Sequence, residues 1–421
     1  MSALSGILLL VRRSLRQHAV STSVTLLAVA LASGLVMAVF SIQEQSRAAF
    51  TGGPAGFDAV LGARGSQLQL VLNTVFHLET SPGNIPWSLY KQIAEDPRVS
   101  LAIPYAMGDS YQGFRIVGTT GQVFTDFEYQ EGKKFAMRDG GRPFDPGYME
   151  AVIGSYVAQK TGLDVGDEFH PAHGLAEQSI EEHHEEYTVV GVTETTNTPS
   201  DRVIWIPIEG IFRMGGHVLR ANGEIYVAQP GEEIPEANRE VSAVMLKLKN
   251  ARAGFDLDMT INKQGKDATL AYPIGRVMAE LFDKIGWVNR VFELVTYLVV
   301  VVSAAAILAG LYNTINERRR EFAILRALGA RRRTVFTAIV IESSAIAALG
   351  SVLGYAVYAA ILAAAAIAVR AQTGMRLEGF AGHVSLVWTP IAMIALGALA
   401  GIVPAIKAYR TDVAEHLAPH S

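Results

Sequence analysis

The residues of this sequence whose type and spacing could do chemistry are four of its ten histidines, which lie within fifteen residues. Imidazole nitrogens bind zinc, copper and nickel, and dense histidine tracts can bind such ions. Glutamates flank the second pair, so a solvated acidic loop is the alternative, and the spacing fixes no ligand geometry. The stretch lies between two predicted strands. We expect a protruding loop that either binds a transition metal, zinc first among them, or binds none. The four candidate ligands are His170, His173, His183 and His184.

Other familiar chemistry is missing from the sequence. There is no cysteine, which excludes disulfides and thiolate metal sites. The serines and histidines carry no spacing that suggests a nucleophile and its base, so we predict no catalytic residues. The phosphate-binding motif G-x-x-x-x-G-K-[ST] is also absent. We therefore predict that this chain does not hydrolyse ATP and that ATP and Mg²⁺ bind a separate partner. Apart from the possible zinc, we expect no cofactor in this chain.

Four long apolar segments place the chain in a membrane, because a bilayer core needs about 20 apolar residues per helix. Buried helices of a soluble protein are the alternative, but such long segments with basic flanks are typical of membrane proteins. The first segment extends well past the small residues that could form a cleavage site, so we interpret it as an uncleaved anchor. The predicted spans are residues 20–42, 286–315, 334–369 and 385–407.

Charge orients these spans. Residues 43–285 contain 21 Lys and Arg against 33 Asp and Glu, whereas the rest of the chain contains 15 against 7. Basic residues accumulate on the cytoplasmic side of membrane proteins. We therefore predict that residues 43–285 and the loop 370–384 lie outside. The N-terminus 1–19, the loop 316–333 and the tail 408–421 are predicted to be cytoplasmic.

The outer segment has the patterns of a mixed α/β domain. VSLAIPYAMG and YQGFRIVGTT predict paired strands, and EAVIGSYVAQKTGLDVGDEF predicts a strand, a helix ending near Gly162 and another strand. We expect two lobes with a boundary near Phe144. An apolar stripe from Val277 to Val295 predicts a closing helix that continues into the second span as a stalk. The predicted fold class is an α-helical membrane protein of four spans with an inserted α/β (α+β) domain of two lobes.

The loop between the second and third spans, NERRREFAILRALGARRRTVF, contains seven arginines. Its apolar residues recur every third position and a glycine follows at the C-cap position, which predicts a short amphipathic helix. Attraction to anionic lipid, at about 1 kcal/mol per basic residue, accounts for the charge but not for the apolar stripe. The stripe favours docking in a groove of a partner protein. The residues of this predicted amphipathic helix are Glu317, Arg318, Arg319, Arg320, Glu321, Phe322, Leu325, Arg326, Leu328 and Gly329.

The third predicted span contains two features of its own. Gly350 and Gly354 form a G-x-x-x-G motif, which favours close packing against another span or a second protomer. A span that is merely rich in small residues is the alternative. Glu342 lies near the cytoplasmic end, where an ion pair with Arg331–Arg333 is a plainer interpretation than an intramembrane functional carboxylate.

These stretches resemble a known family. ERRREFAILRALGARRRTVF is similar to the coupling-helix signature of FtsX/MacB-type ABC transporter permeases. IESSAIAALGSVLG resembles that family's third span, GALAGIVPAIKAYRTDVAEHL its fourth, and EAVIGSYVAQKTGLDVGDEF…YTVVGV its periplasmic core domain. The resemblance covers nearly the whole chain and departs at Val413, where the family often has proline. It implies permeases that work in pairs on two ATPase subunits. The ATP-driven movement of those subunits enters through the coupling helix and travels along the stalk to the outer domain.

We therefore predict a permease subunit in a bacterial inner membrane, with a periplasmic domain, for export, extraction or handling of a periplasmic substrate. A regulator that transmits motion to a periplasmic enzyme or sensor without transport is the alternative. A further alternative is a component of a zinc-handling system. A membrane-anchored receptor that works without an ATPase is an alternative that would not belong to this family. The expected partners are an ABC ATPase, a second copy or a similar permease, a periplasmic protein or lipoprotein, and the membrane. We expect no nucleic-acid partner.

Overall fold

The chain divides into two compact units. In a computed structural model, the described residues are 3–51, 56–174, 183–214, 219–221, 224–226, 234–317, 321, 324, 326–327, 329–375 and 382–410. The first unit, here called the helical unit, comprises the described parts of 1–45, 285–367 and 377–421. The second, here called the outer domain, comprises the described parts of 46–284 and 368–376.

The described elements of the helical unit are helices, and further helices pack on the sheet of the outer domain. The described helices are α1 Ala3–Gln17, α2 Ala19–Thr51, α3 Gln67–Thr74, α4 Trp87–Ala94, α5 Gln122–Thr125, α6 Ser155–Thr161, α7 Ile208–Arg213, α8 Ala251–Asp258, α9 Ile274–Lys284, α10 Gly286–Glu317, α11 Arg332–Thr373 and α12 Ser385–Arg410. Short 3₁₀ turns cover Pro199–Arg202 and Glu236–Asn238, and a π-helical turn covers Met259–Gln264.

Among the described residues, four helices are long and apolar enough to cross a membrane, judged by length and composition. A helix rises about 1.5 Å per residue, so each exceeds the roughly 30 Å of a hydrocarbon core. The predicted architecture of four such helices with an α/β domain inserted after the first is confirmed. The four candidate spans are Ala19–Thr51, Gly286–Ile315, Arg332–Thr373 and Ser385–Tyr409.

The N-terminal segment, which the sequence analysis describes only as cytoplasmic, is helix α1. Ile7 and Val11 are buried against Ala338 of α11. These two residues lie four positions apart, the spacing that places side chains on one face of a helix. The opposite face carries Arg12 and Arg16. Helix α1 is therefore an amphipathic helix of the helical unit.

The outer domain is built on one mixed sheet. Its strand order is β14-β1-β13-β3-β4-β9-β5-β8-β6, and β7 pairs with β3 beside this path. Most pairs are antiparallel, whereas β4 with β9 and β5 with β8 are parallel. The described strands are β1 Ala59–Ala63, β2 Ile85–Pro86, β3 Val99–Tyr111, β4 Phe114–Thr119, β5 Glu150–Ile153, β6 Glu168–Phe169, β7 Ala172–His173, β8 Tyr187–Val192, β9 Val203–Pro207, β10 Leu219–Ala221, β11 Glu224–Tyr226, β12 Glu240–Val241, β13 Ala243–Leu248 and β14 Ala268–Ala271.

Both faces of this sheet are buried. Along β1, Leu61 packs into one apolar cluster and its neighbour Val60 into another, because successive side chains of a strand point to opposite faces. Along β9, Ile204 and Trp205 divide between the same two clusters. Helices cover both faces, which explains why the strands read as continuous apolar runs.

The strands predicted at 99–108, 111–120 and 150–153 are confirmed, but the described residues of the outer domain show no division into two lobes. The outer domain is one compact unit with one sheet through its centre. Phe144, where we expected a boundary, is itself buried, with its ring 5.4 Å from that of Phe124. The stretch around it, GGRPFDPGY, is rich in glycine and proline. Its aromatic side chain instead packs into the core.

The predicted stalk is divided at Ile285, which separates α9 from α10. The first part of its apolar stripe belongs to the outer domain, where Val277 and Met278 are buried in the core. Gly286 follows the break, and glycine weakens a helix interior. One continuous apolar stripe in the sequence therefore serves two helices with different surroundings.

Candidate functional site

Asp109 lies on strand β3 at an irregularity of the sheet. Between Met107 and Ser110 the β3–β4 register shifts, so that two residues of β3 oppose one residue of β4. Such bulges re-aim side chains and are common beside functional sites. On its other edge, β3 pairs with the two-residue strand β7, with Asp109 directly opposite His173. Directly opposed residues of an antiparallel pair present their side chains on the same face.

His183 completes the cluster from the far end of the same loop. Its backbone N–H donates to the carbonyl oxygen of Pro171 at 2.8 Å, which brings the chain back beside β7. Its imidazole lies edge-on to that of His173, with ring centroids 5.2 Å apart. Two histidines ten residues apart in sequence thus meet at one carboxylate.

The three side chains converge on three atoms. Oδ1 of Asp109 lies 3.2 Å from Nδ1 of His173 and 3.2 Å from Nε2 of His183. The two ring nitrogens are also 3.2 Å apart. The Asp109 side chain is 0% exposed and that of His183 is 7% exposed, whereas that of His173 is 48% exposed. The cluster is therefore anchored in the domain on one side and open to solvent on the other. In the part of the chain that the structure describes, it is the one group with this metal-site geometry.

The structure separates the four histidines of the sequence analysis. His173 and His183 come together, and His170 does not join them. The Nδ1 of His170 lies 3.3 Å from the carbonyl oxygen of Glu185, and its Nε2 lies 3.6 Å from a carboxylate oxygen of Glu186. His184 is exposed and lies outside the cluster. The expected protruding loop is in part a strand, β7, docked on β3. Residues 175–182 lie outside the described residues.

Sequence reasoning missed Asp109. Its one signal was a lone carboxylate directly after the apolar strand VSLAIPYAMG, more than sixty residues before the histidines. The sequence spacing does not connect Asp109 with the histidines, because they are brought together by the pairing of β3 with β7.

The predicted coupling helix is described only in part. Helix α10 ends at Glu317, and Gly329 precedes α11 with φ of 101°, the left-handed conformation typical of a helix C-cap. The N–H of Gly329 donates to the carbonyl oxygen of Arg326 at 3.0 Å. The carboxylate of Glu321 accepts a hydrogen bond from Gln17 at 3.4 Å. Arg318, Arg319, Arg320, Phe322, Leu325 and Leu328 lie outside the described residues, so the apolar stripe stays a prediction.

Glu342 has a partner that the sequence analysis did not consider. Its carboxylate is buried in the helical unit, and the hydroxyl of Ser14 on α1 donates to it. Burial of a carboxylate is costly unless it is hydrogen-bonded. The pair therefore fixes α1 to α11 near the start of α11.

The G-x-x-x-G motif lies against another span of the same chain. A methyl group at Gly350 would lie 2.6 Å from Cβ of Val29, and one at Gly354 would lie 2.9 Å from Cβ of Ser33. Both partners belong to α2. The glycines thus allow the α2 and α11 backbones to approach more closely than any side chain would permit.

Two regions of the chain match known protein families. Residues 22–244 match the MacB-like periplasmic core domain, and residues 293–413 match the FtsX-like permease C-terminal region. A solved structure of the periplasmic region of MacB from Actinobacillus actinomycetemcomitans is 11% identical, with 55% of this chain and 94% of that chain covered and a TM-score of 0.34. The extracellular domain of the noncanonic ABC-type transporter YknZ from Gram-positive bacteria is 15% identical, with coverage of 50% and 97% and a TM-score of 0.28. No curated protein sequence matches the chain.

Proposed function

The chain belongs to the FtsX/MacB-type family of ABC permeases and is a multi-pass membrane protein with a periplasmic domain, and from this premise we propose that it transmits ATPase-driven movement to that domain. The movement would originate in a separate ABC ATPase, since the chain has no phosphate-binding loop. The membrane would be the bacterial inner membrane. The work done in the periplasm would be export, extraction or handling of a substrate there.

One observation carries this proposal: ends of the long helices are built into the outer domain itself. Helix α2 contributes its last residues to that unit, where the ring of Phe50 lies 4.8 Å from Phe76 and 5.7 Å from Phe282. Aromatic pairs at these distances add about 0.5–1.5 kcal/mol each beyond their buried area.

Helix α11 contributes its last residues in the same way. The guanidinium of Arg370 donates to the side-chain oxygen of Gln159 at 2.8 Å and lies 5.1 Å from the ring centroid of Tyr156. Arg202 donates to the carbonyl oxygen of Gln372. A helix that is packed and hydrogen-bonded at its end cannot shift without shifting the residues around it. This property suits a rigid transmitter and would be unnecessary in a simple membrane anchor.

The coupling helix supplies the test. Replacing Leu325 with Asp would place a charge on the predicted apolar stripe, and burying an unpaired charge at a protein contact costs several kcal/mol. We expect an ABC ATPase to co-purify with the native chain, and Leu325→Asp to insert normally but to lose that ATPase. Ala327→Asp is the matched control, because it adds the same charge at an exposed position outside the stripe.

Transmission is measured separately from docking. In the reconstituted complex, hydrogen exchange of the outer domain should change between nucleotide-free and ATP-bound states. We expect that change in the native chain and in Ala327→Asp, and its loss in Leu325→Asp. A Leu325→Asp complex that purifies intact and still shows the nucleotide-dependent exchange would contradict the proposal.

A further inference from the structure

We propose that Asp109, His173 and His183 bind a divalent transition metal ion, with zinc as the expected ion, so that the outer domain is a metal receptor as well as a transmitter. This inference goes beyond the proposed function and does not depend on an ATPase. Of the four candidate histidines from the sequence it keeps two, and it adds the carboxylate of Asp109.

The distances match a coordination shell. In a tetrahedral zinc site with metal–ligand distances of about 2.0–2.1 Å, neighbouring ligand atoms lie about 3.3 Å apart. Three adjacent corners of an octahedron of the same size lie about 2.9 Å apart. The three measured separations are each 3.2 Å. An ion above the centre of this triangle would therefore reach all three atoms with little movement of any side chain.

Hydrogen bonds alone explain the triangle less well. Each neutral imidazole carries one proton, and Asp109 in its ionised form only accepts hydrogen bonds. Both imidazole N–H groups could donate to Oδ1 of Asp109, but the third side of the triangle, between the two ring nitrogens, would then hold no hydrogen bond, whereas a cation contacts all three corners. The closeness of the two ring nitrogens, Nδ1 of His173 and Nε2 of His183, brings together atoms that each use a lone pair to bind a metal.

The donor set selects the class of ion. Two imidazole nitrogens with one carboxylate oxygen suit zinc and related transition metals, whereas calcium and magnesium prefer shells made of oxygen. Three protein ligands leave a position for water or an incoming ligand, as in exchangeable rather than structural zinc sites. Exposure of His173 gives an entry path, and the buried Asp109 supplies a carboxylate oxygen that is held in place by the sheet.

Metal binding would act on the short strand β7 and its pairing with β3. Strand β7 has two residues, and its register with β3 is set by the Asp109–His173 and Ser110–Ala172 pairs. A metal held by β3, β7 and His183 would cross-link both ends of the histidine loop to the sheet. We therefore expect metal occupancy to stabilise the pairing of β7 with β3.

The test uses the full chain in detergent after removal of metals with a chelator. Titration with Co²⁺, followed by its visible absorption, reports both stoichiometry and geometry, and competition with Zn²⁺ gives the zinc affinity. We expect one ion per chain, with intense bands for tetrahedral coordination. His173→Ala and His183→Ala should each weaken binding at least about tenfold, since even outer-shell changes cost 10–100-fold. His170→Ala and His184→Ala are matched controls from the same loop and should change affinity less than about twofold.

Asp109 is fully buried, so the unfolding temperature of each metal-free variant is measured alongside. Exposed His173 provides the variant least at risk of misfolding. Absence of Co²⁺ binding by the native chain would overturn the proposal, as would equal affinity in His173→Ala. An effect of His170→Ala as large as that of His173→Ala would also overturn it, because the ligand set would then be wrong. None of these results depends on ATPase coupling, so this proposal and the proposed function fail separately.

Discussion

Close contact between α2 and α11 should make Gly350 intolerant of any side chain. A Cβ at this position would lie 2.6 Å from both Cβ and Cγ1 of Val29, and 3.2 Å from the carbonyl oxygen of Leu26. Carbon atoms in ordinary contact lie about 3.5–4.0 Å apart. The two helices would therefore have to separate by about 1 Å, or rotate, to accept even a methyl group.

The expected cost follows from two opposing effects. Overpacking a well-packed contact costs about 1–3 kcal/mol, while replacing glycine in a helix gains at most about 1 kcal/mol. Alanine would thus give a small net loss. Leucine has nearly the same helix propensity as alanine but adds three more heavy atoms at the contact. We expect Gly350→Leu to lower the free energy of unfolding by about 3 kcal/mol, more than a hundredfold in the equilibrium constant.

Gly286→Leu is the matched control, because no heavy atom lies within 4 Å of a Cβ at Gly286 on α10. Both variants are purified in detergent and unfolded with increasing SDS, with tryptophan fluorescence as the signal. Trp287 and Trp388 report from the helical unit. If Gly350→Leu unfolds at the same SDS fraction as Gly286→Leu, the α2–α11 contact does not have the closeness described here.

Two further predictions concern topology and pH. With the outer membrane permeabilised, Glu131→Cys should react with an impermeant maleimide in intact cells and Ala327→Cys should not; the reverse would invert the orientation. Burial, together with the nearby positive charges of Arg115 and Arg202, lowers the pKa of His77 to about 3. Between pH 6.5 and 3 the native state therefore binds fewer protons than the unfolded state. The free energy of unfolding should fall as the pH falls through this range, by up to about 1.4 kcal/mol per pH unit. His77→Asn should flatten this dependence in acid unfolding, since asparagine tolerates the positive φ of 57° at this position; an unchanged slope would exclude His77 as the cause.

The sequence patterns predicted those parts of the fold that depend on residues close together in the sequence. Each span is recognisable because a membrane demands an uninterrupted apolar run, and the helix ending at Gly162 is recognisable because its C-cap requires φ of 79°. The pairing of β3 with β4 followed from a short connection between two apolar strands. Helix α1 could have been predicted from Ile7 and Val11, but its arginines were interpreted only as a topology signal.

That the outer domain is one unit could not be predicted in the same way. The sheet joins strands from distant parts of the sequence: β1 lies between β13 and β14, and β5 lies between β8 and β9. The expected lobe boundary near Phe144 lies where polar residues and prolines interrupt the strands. Such residues equally mark a connection that crosses a single domain, and only the long-range pairing distinguishes the two cases.

The β3 bulge explains why Asp109 in particular escaped sequence reasoning. Without a bulge, Met107, Asp109 and Tyr111 would all point to one face, because side chains alternate with a period of two. In the structure Met107 packs in one apolar cluster, whereas Tyr111 packs against the other. The register shift between Met107 and Ser110 therefore reverses the alternation where Asp109 lies. A carboxylate that a regular strand would direct into the Met107 cluster instead meets His173 and His183. The bulge has a cost in strand regularity, and the metal site proposed at this point would give that cost a functional reason.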